Sequence, residues 1–246
     1  MQFTYKAYEQ LINSLSDNAF IIGDYHNYNE YEKCAILRHD VDYDLEKAIP
    51  FSEIEKNNNA KSTYFVLLTS DFYNPASRLS LKVFDELRKN GHEIGLHFDE
   101  VRYLSDTVEW CEDYIIENIL KEAELLGKII DEPIKSVSMH RPSRYTLESN
   151  LDIPGLVNSY SKEFFQNFKY VSDSRMIWRE DVQQIVSSNE VERLHILTHP
   201  FWYKKNSLSI EKVLLEFINS ANKKRFKILF DNITDLESIV DKDNVR

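Results

Sequence analysis

A parallel α/β fold is what this 246-residue sequence predicts. Two observations predict it. Strand-like apolar runs alternate with amphipathic helical stretches, the pattern of β/α units. Five of those runs end in an ionisable residue, as expected if parallel strands deliver their chemistry to one rim. Such a chain closes into a barrel or stays open as a doubly wound sheet. Either way its site gathers at the C-terminal ends of the strands.

The elements follow in order. Residues 5–15 read as a helix, 34–38 as a strand, 44–56 as an amphipathic helix and 62–69 as a strand. A helix over 79–90 is closed by Gly91, and 92–97 is the next strand. Residues 105–126 form a long helix with Ser105 as its N-cap and Gly127 as its end. Strands follow at 134–139, 170–173 and 194–198, then a helix at 208–222 and a final strand at 226–230. Residues 143–169 are long for a connection and are a candidate lid or substrate loop. The length fits one catalytic domain over 1–246, with 1–33 as an N-terminal helical extension.

Composition removes several classes of function. Hydrophobic residues make up 42% and charged residues 29%, an ordinary globular balance that excludes disorder and fibres. The longest apolar runs, such as 64–68, fall far short of the roughly 20 residues a bilayer requires. The net charge of −11 repels phosphate backbones, so nucleic acid is not an expected partner. Two cysteines, Cys34 and Cys111, make no disulfide framework and read as buried thiols. The first residues, MQFTYKAYEQLINSL, have no basic region leading into an apolar core; the expected location is cytoplasmic.

The polar residues carry the functional reading. His39-Asp40-Val41-Asp42 follows the first strand, and His97 ends the 92–97 strand. His140-Arg141-Pro142 follows 134–139, Asp173 ends 170–173, and His199-Pro200 follows 194–198. Asp40 and Asp42 are two apart, so an extended backbone points both to one side. One can hold a metal while the other takes a proton from water. Alone, such a pair also marks phosphatases of the haloacid-dehalogenase type and sugar-nucleotide glycosyltransferases. His92 and His97 lie on opposite faces and roughly 16 Å apart, so only His97 joins the rim. His199 suits a general acid, Asp173 can orient it, and Arg141 can pair with Asp40. His26 and His195 lack company and read as structural. Trp178, Trp202 and Tyr203 can line a sugar-stacking or acetyl-methyl pocket, or simply the core.

Read in order over residues 35–203, these segments resemble the polysaccharide deacetylase (NodB-homology) family, carbohydrate esterase family four. ILRHDVD stands where that family has Thr-Phe-Asp-Asp, and NGHEIGLHF resembles its Gly-His-Glu-Ile-Gly-x-His segment. MHRPSRY is similar to Arg-Pro-Pro-Tyr, SDSRMIW to the Asp-plus-Trp motif, and ILTHP to Leu-x-His. The resemblance implies a distorted (β/α)7 barrel and a metal-dependent hydrolase of carbon–nitrogen bonds other than peptide bonds. It would deacetylate an N-acetylated sugar with a divalent metal, usually zinc; the expected cytoplasmic location, in turn, points to a sugar-linked precursor in surface polysaccharide biosynthesis. Carried over by position, Asp40 is the base, His199 the acid, and Asp42 and His97 are metal ligands. Arg141 positions the base, and Asp173 tunes the acid. The family's second ligand histidine falls at Val101. His140 is the favoured replacement, ahead of Asp99, Glu100 and His39. Rival readings are a catalytically impaired carbohydrate-binding relative, or a hydrolase of another linear amide or cyclic imide on the same fold.

Overall fold

The computed structural model describes residues 1–105 and 109–242. It divides into two compact units, Met1–Lys205 and Asn206–Arg246. The first unit opens with α1 (Tyr5–Asp17) and a short β1 (Ile21–Gly23), followed by β2 (Cys34–Val41) and α2 (Ala48–Asn57). β3 (Thr63–Leu67), α3 (Arg78–Lys89), β4 (Glu93–Asp99) and α4 (Glu112–Ile130) continue the alternation. Next come β5 (Ser136–His140), α5 (Arg144–Ser149), β6 (Val157–Asn158) and α6 (Lys162–Gln166). β7 (Lys169–Ser172), α7 (Val182–Ser188) and β8 (Arg193–Thr198) complete that unit. The second unit holds α8 (Ile210–Phe230), capped by the Ser209 hydroxyl on the Lys212 N–H, and α9 (Leu236–Ile239).

Every strand pair is parallel, in the order β6-β5-β4-β3-β2-β8-β7, with β1 beside the start of β2. β2 is the centre: β1 and β3 share one of its flanks and β8 takes the other. The sheet is strongly curled. β2 and β5 are three strands apart in that order. That is about 14 Å in a flat sheet at about 4.8 Å per strand. Yet Asp42 Oδ1, just past β2, lies 3.4 Å from His140 Nδ1 at the end of β5. The path is an incompletely closed, distorted β/α barrel; among the described residues its edge strands β6 and β7 do not pair with each other.

Alternation along the strands sorts side chains into two sets. Cys34, Ile36, Arg38 and Asp40 face the interior, where Cys34 and Ile36 pack with Tyr25, Phe65, Phe164 and Phe168. The close crossing of β3 and β4 requires Gly95, since a Cβ there would meet the Phe65 ring at 2.5 Å. His195 also faces inward and is fully buried, with Nε2 2.7 Å from the Tyr25 hydroxyl. Burial, with the nearby Arg38 charge, pulls its pKa down to about 3. The unfolded imidazole titrates near 6.5. Below that pH the unfolded chain binds a proton that the folded one refuses, so stability falls as pH falls. The slope His195 contributes between pH 6 and 5 is about 1.2 kcal/mol per pH unit. Urea unfolding of the wild type and H195Q at both pH values checks this: the variant should lose about one proton's worth of slope, and equal slopes would exclude the assignment.

The opposite face of β2 carries a buried polar cluster. Glu55 of α2 is fully buried, accepting from the hydroxyls of Tyr8 (2.6 Å), Tyr64 (2.6 Å) and Ser62 (2.8 Å) and lying 2.6 Å from His39 Nε2. His39 Nδ1 reaches Thr198 Oγ1 of β8 at 2.7 Å. Burial favours the neutral acid, but His39, His92 and the Tyr64 hydroxyl outweigh it and hold the Glu55 pKa at about 2. His92 lies 3.1 Å from Ser62 Oγ and 3.1 Å from the Ser52 carbonyl, a structural role.

Several boundaries differ from the sequence expectation. The expected cap at Ser105 abuts residues 106–108, which lie outside the described residues, and helical geometry starts at Glu112. Trp110 is committed elsewhere: its indole N–H donates to Thr146 Oγ1 at 2.9 Å. Gly127 does not end α4. It sits inside the helix because the turn crosses there, and a Cβ would lie 3.0 Å from the Glu132 carbonyl. Residues 226–230 are the last turns of α8 rather than a strand; a short apolar run does not separate the two by periodicity. Residues 143–169 contain α5, β6 and α6. Cys111 is exposed, whereas Cys34 is buried. No helix among the described residues is long and apolar enough to cross a membrane.

Candidate active site

The interior face of β2 continues past the strand end from Asp40 to Asp42. Beside it, β4 brings His97 and β5 brings His140. One ligand atom from each of Asp42, His97 and His140 lies within 4.8 Å of the other two. His97 Nε2 is 3.3 Å from Asp42 Oδ1, His140 Nδ1 is 3.4 Å from the same oxygen, and the two ring nitrogens are 3.1 Å apart. Three potential ligand atoms therefore face one point. Tetrahedral zinc, with bonds of about 2.0–2.1 Å, places its ligand atoms about 3.3–3.4 Å apart, so the donor set fits a small divalent cation in both chemistry and spacing. Burial opposes the Asp42 charge, but hydrogen bonds from His140 and His97 hold its carboxyl well below the usual range.

Of the four residues weighed for the third ligand position, His140 is the one whose ring nitrogen enters this cluster. His39 faces α2 and is bonded to Glu55 and Thr198. Asp99 pairs with Arg141, and the Glu100 carboxylate accepts from the Ser143 N–H and the Thr146 hydroxyl. Val101 is 56% exposed in the turn after β4.

Asp40 is buried beside the cluster, its Oδ2 3.6 Å from His97 Nε2. Its arginine is Arg38, not Arg141. Arg38 Nε donates to Oδ1 at 2.9 Å and Nη2 to Oδ2 at 2.7 Å, a two-pronged grip from two residues back on the same strand face. The fully buried guanidinium also bonds Ser138 Oγ and lies 4.7 Å from the Tyr160 ring centre. Burial works against the Asp40 charge, but Arg38 and then His97 hold its carboxyl below the usual range. The expected Arg141–Asp40 pair is absent because the Arg141 side chain, 64% exposed, turns to Asp99. Sequence reading missed Arg38 because a mid-strand arginine resembles an interruption of the core. The usable signal was its i,i+2 spacing to Asp40.

His199, just beyond β8, faces the cluster from the other flank, with Nε2 3.9 Å from Asp42 Oδ2. Its Nδ1 lies 2.6 Å from Asp173 Oδ1, and its backbone N–H donates to the same carboxylate at 3.0 and 3.1 Å. Burial pushes the His199 pKa down, but the hydrogen bond and charge of Asp173, then Asp42 and Asp40, push it up to about 9. At neutral pH it holds a proton on the nitrogen that faces the cluster. Trp178 is half-buried next to the buried Tyr203 phenol. Trp202 and Tyr203 are core residues, Tyr203 packing on Phe51 with ring centres 4.8 Å apart.

No protein-family model matches this chain, and no curated protein does. The solved structures it matches include carbohydrate esterase family 4 proteins. A pseudoenzyme of that family from Bacillus anthracis is 14% identical with a TM-score of 0.43, over 77% of this chain and 62% of that one. A family 4 acetyl xylan esterase from Clostridium thermocellum, in complex with a cobalt ion, is 16% identical with a TM-score of 0.40, over 76% of this chain and 83% of that one. A peptidoglycan deacetylase from Bdellovibrio bacteriovorus is 14% identical with a TM-score of 0.44, over 78% of this chain and 50% of that one. The chain thus spans less than two thirds of the length of the pseudoenzyme and about half that of the peptidoglycan deacetylase.

Proposed function

We propose that this chain is a divergent member of carbohydrate esterase family four, and a metal-dependent hydrolase that releases acetate from an N-acetylated saccharide. One observation carries the reading: the Asp42, His97 and His140 donors converge between an ionised Asp40, gripped by Arg38, and a protonated His199, gripped by Asp173. Asp42, His97 and His140 would hold the cation, zinc being the best match to two imidazoles and one carboxylate. A divalent cation bound there supplies Lewis acidity, which polarises a carbonyl and makes water a stronger acid.

The protein's own groups do the rest. Asp40 takes the proton of the attacking water at Oδ2, the oxygen nearer the cluster, while Arg38 keeps both carboxylate oxygens in place. The water oxygen bonds to the acyl carbon and the carbon–nitrogen bond breaks. The departing amine takes the proton from His199 Nε2. Asp173 fixes the tautomer by accepting from Nδ1 and stabilises the charged imidazole. The Asp40 proton then returns to His199 through solvent, so the cycle closes as a net hydrolysis.

Metal removal is the direct test. The purified protein should carry about one divalent ion per chain by elemental mass spectrometry, as three protein ligands imply. Chelation should abolish acetate release from N-acetylated oligosaccharides, and zinc should restore it. A protein that takes up no divalent ion and releases no acetate would overturn the reading.

A further inference from the structure

The buried cluster around Glu55 and His39 takes no part in the chemistry above, yet it lies directly behind it. His39 precedes Asp40 on β2, and Thr198 precedes His199 at the end of β8. Along an extended strand neighbouring side chains turn to opposite faces. Asp40 and His199 thus approach the metal cluster from one face of the sheet. His39 and Thr198 meet on the other, Nδ1 to Oγ1 at 2.7 Å.

That bond stands at a particular rung. The β2–β8 ladder runs from Cys34 opposite Arg193 to His39 opposite Thr198, and ends there. Asp40 and His199 are the first residues beyond it, so no further pairing of these two strands sets their separation. The side-chain bond closes the last rung from behind. Its far end is anchored: His39 Nε2 lies 2.6 Å from Glu55 Oε1, and that carboxylate accepts from the Tyr8, Tyr64 and Ser62 hydroxyls. An ionised carboxylate only accepts, so the Nε2 proton points to Glu55 and Nδ1 is left for Thr198. Glu55, His39 and Thr198 are all buried. Apolar groups of similar volume often replace buried ionic ones at no loss of stability, so stability alone does not account for this chain of bonds.

We infer that His39 and Thr198 are positioning residues, which hold the base Asp40 and the acid His199 at the separation that amide hydrolysis needs; the role rests on the hydrolase reading proposed above. Asp173 orients the His199 ring, and Thr198 fixes the strand end that carries it. A catalytic group misplaced by about 1 Å can cost about 10²-fold in rate. Asp40 has independent support from Arg38 and from β3, where it stands opposite Phe65. Loosening the rung should therefore displace the acid more than the base.

Thr198→Val removes the hydroxyl and keeps the side-chain shape. T198V should lower kcat for acetate release from N-acetylglucosamine oligomers by about 10–100-fold. Its KM and its metal content should stay within about twofold of wild type. Hydrolysis of an aryl acetate, whose phenolate leaves without a proton, should stay within about threefold. T198S restores the hydroxyl and should recover the amide kcat to within about threefold of wild type. H39Q breaks the same bond from β2 while its amide still reaches Glu55, so it should repeat the amide-selective loss and serves if T198V folds poorly. A bond that only stabilises the fold would lower the melting temperature without that split. Equal losses on amide and ester, or an amide kcat unchanged in both variants, overturn the positioning role. A wild type that releases acetate from neither substrate overturns the hydrolase and this role together, whereas wild-type amide turnover that neither variant alters removes the role alone.

Discussion

Asparagine at position 40 should lower acetate release by about 10²–10⁴-fold, the usual worth of a general base, while leaving the metal content at the wild-type level. The two readouts separate because Asp40 contributes no atom to the Asp42, His97 and His140 cluster. The amide oxygen of asparagine can still accept from Arg38, so the arginine keeps a partner where Asp40→Ala would strand a buried charge. His199→Ala should cost amide hydrolysis a similar factor for a different reason, and a second substrate shows the difference. An aryl acetate expels a phenolate that needs no proton, so H199A should retain most of its rate on that ester, whereas D40N should lose both activities. Turnover by D40N within about tenfold of wild type would remove Asp40 from the base role.

The rim of the site was legible because strand periodicity and strand ends are both local signals. Asp40, Asp42, His97, His140, Asp173 and His199 each follow an apolar run, and parallel pairing converts that shared position into proximity. What escaped depended on contacts across the fold. Arg38 looks like an isolated charge until the interior face of β2 is known to close over it. Glu55 lies on the buried stripe of α2 with Ala48, Phe51 and Ser52, and its only sequence signal is a charge at an apolar position. Four polar partners from α1, β2, β3 and the turn before β3 make that placement tolerable, and none is adjacent in sequence. Arg141 was expected beside Asp40 from its strand-end position as well as from the family resemblance, yet its charge is taken up by Asp99 one strand away. β1 and β6, at three and two residues, are too short for any periodicity to register.

His140→Ala should weaken divalent-metal binding by well over the roughly 10–100-fold that loss of an outer-shell partner costs, and acetate release should fall with it. Val101→Ala should change neither. The contrast follows from where the backbone goes. β4 delivers His97 to the interior, but the chain then turns at Glu100–Arg102 and leaves Val101 facing solvent. The next strand supplies the missing imidazole: β5 pairs with β4 so that His140 stands opposite Asp99, two residues above His97 on the same inward face. That step brings its Nδ1 to 3.1 Å from His97 Nε2. A ligand on β5 is also rigid, because His140 ends a strand paired on both sides and the Glu100 carboxylate ties down the segment after it. Cobalt substitution is the measurement to use, since its visible spectrum reports ligand number without requiring turnover. Wild-type and V101A proteins should give one spectrum. H140A should give a weaker, higher-coordinate one, as solvent replaces the lost imidazole. An unchanged spectrum in H140A would remove His140 from the ligand set, and a wild-type spectrum equal to that of cobalt in buffer would mean that the cluster binds no ion.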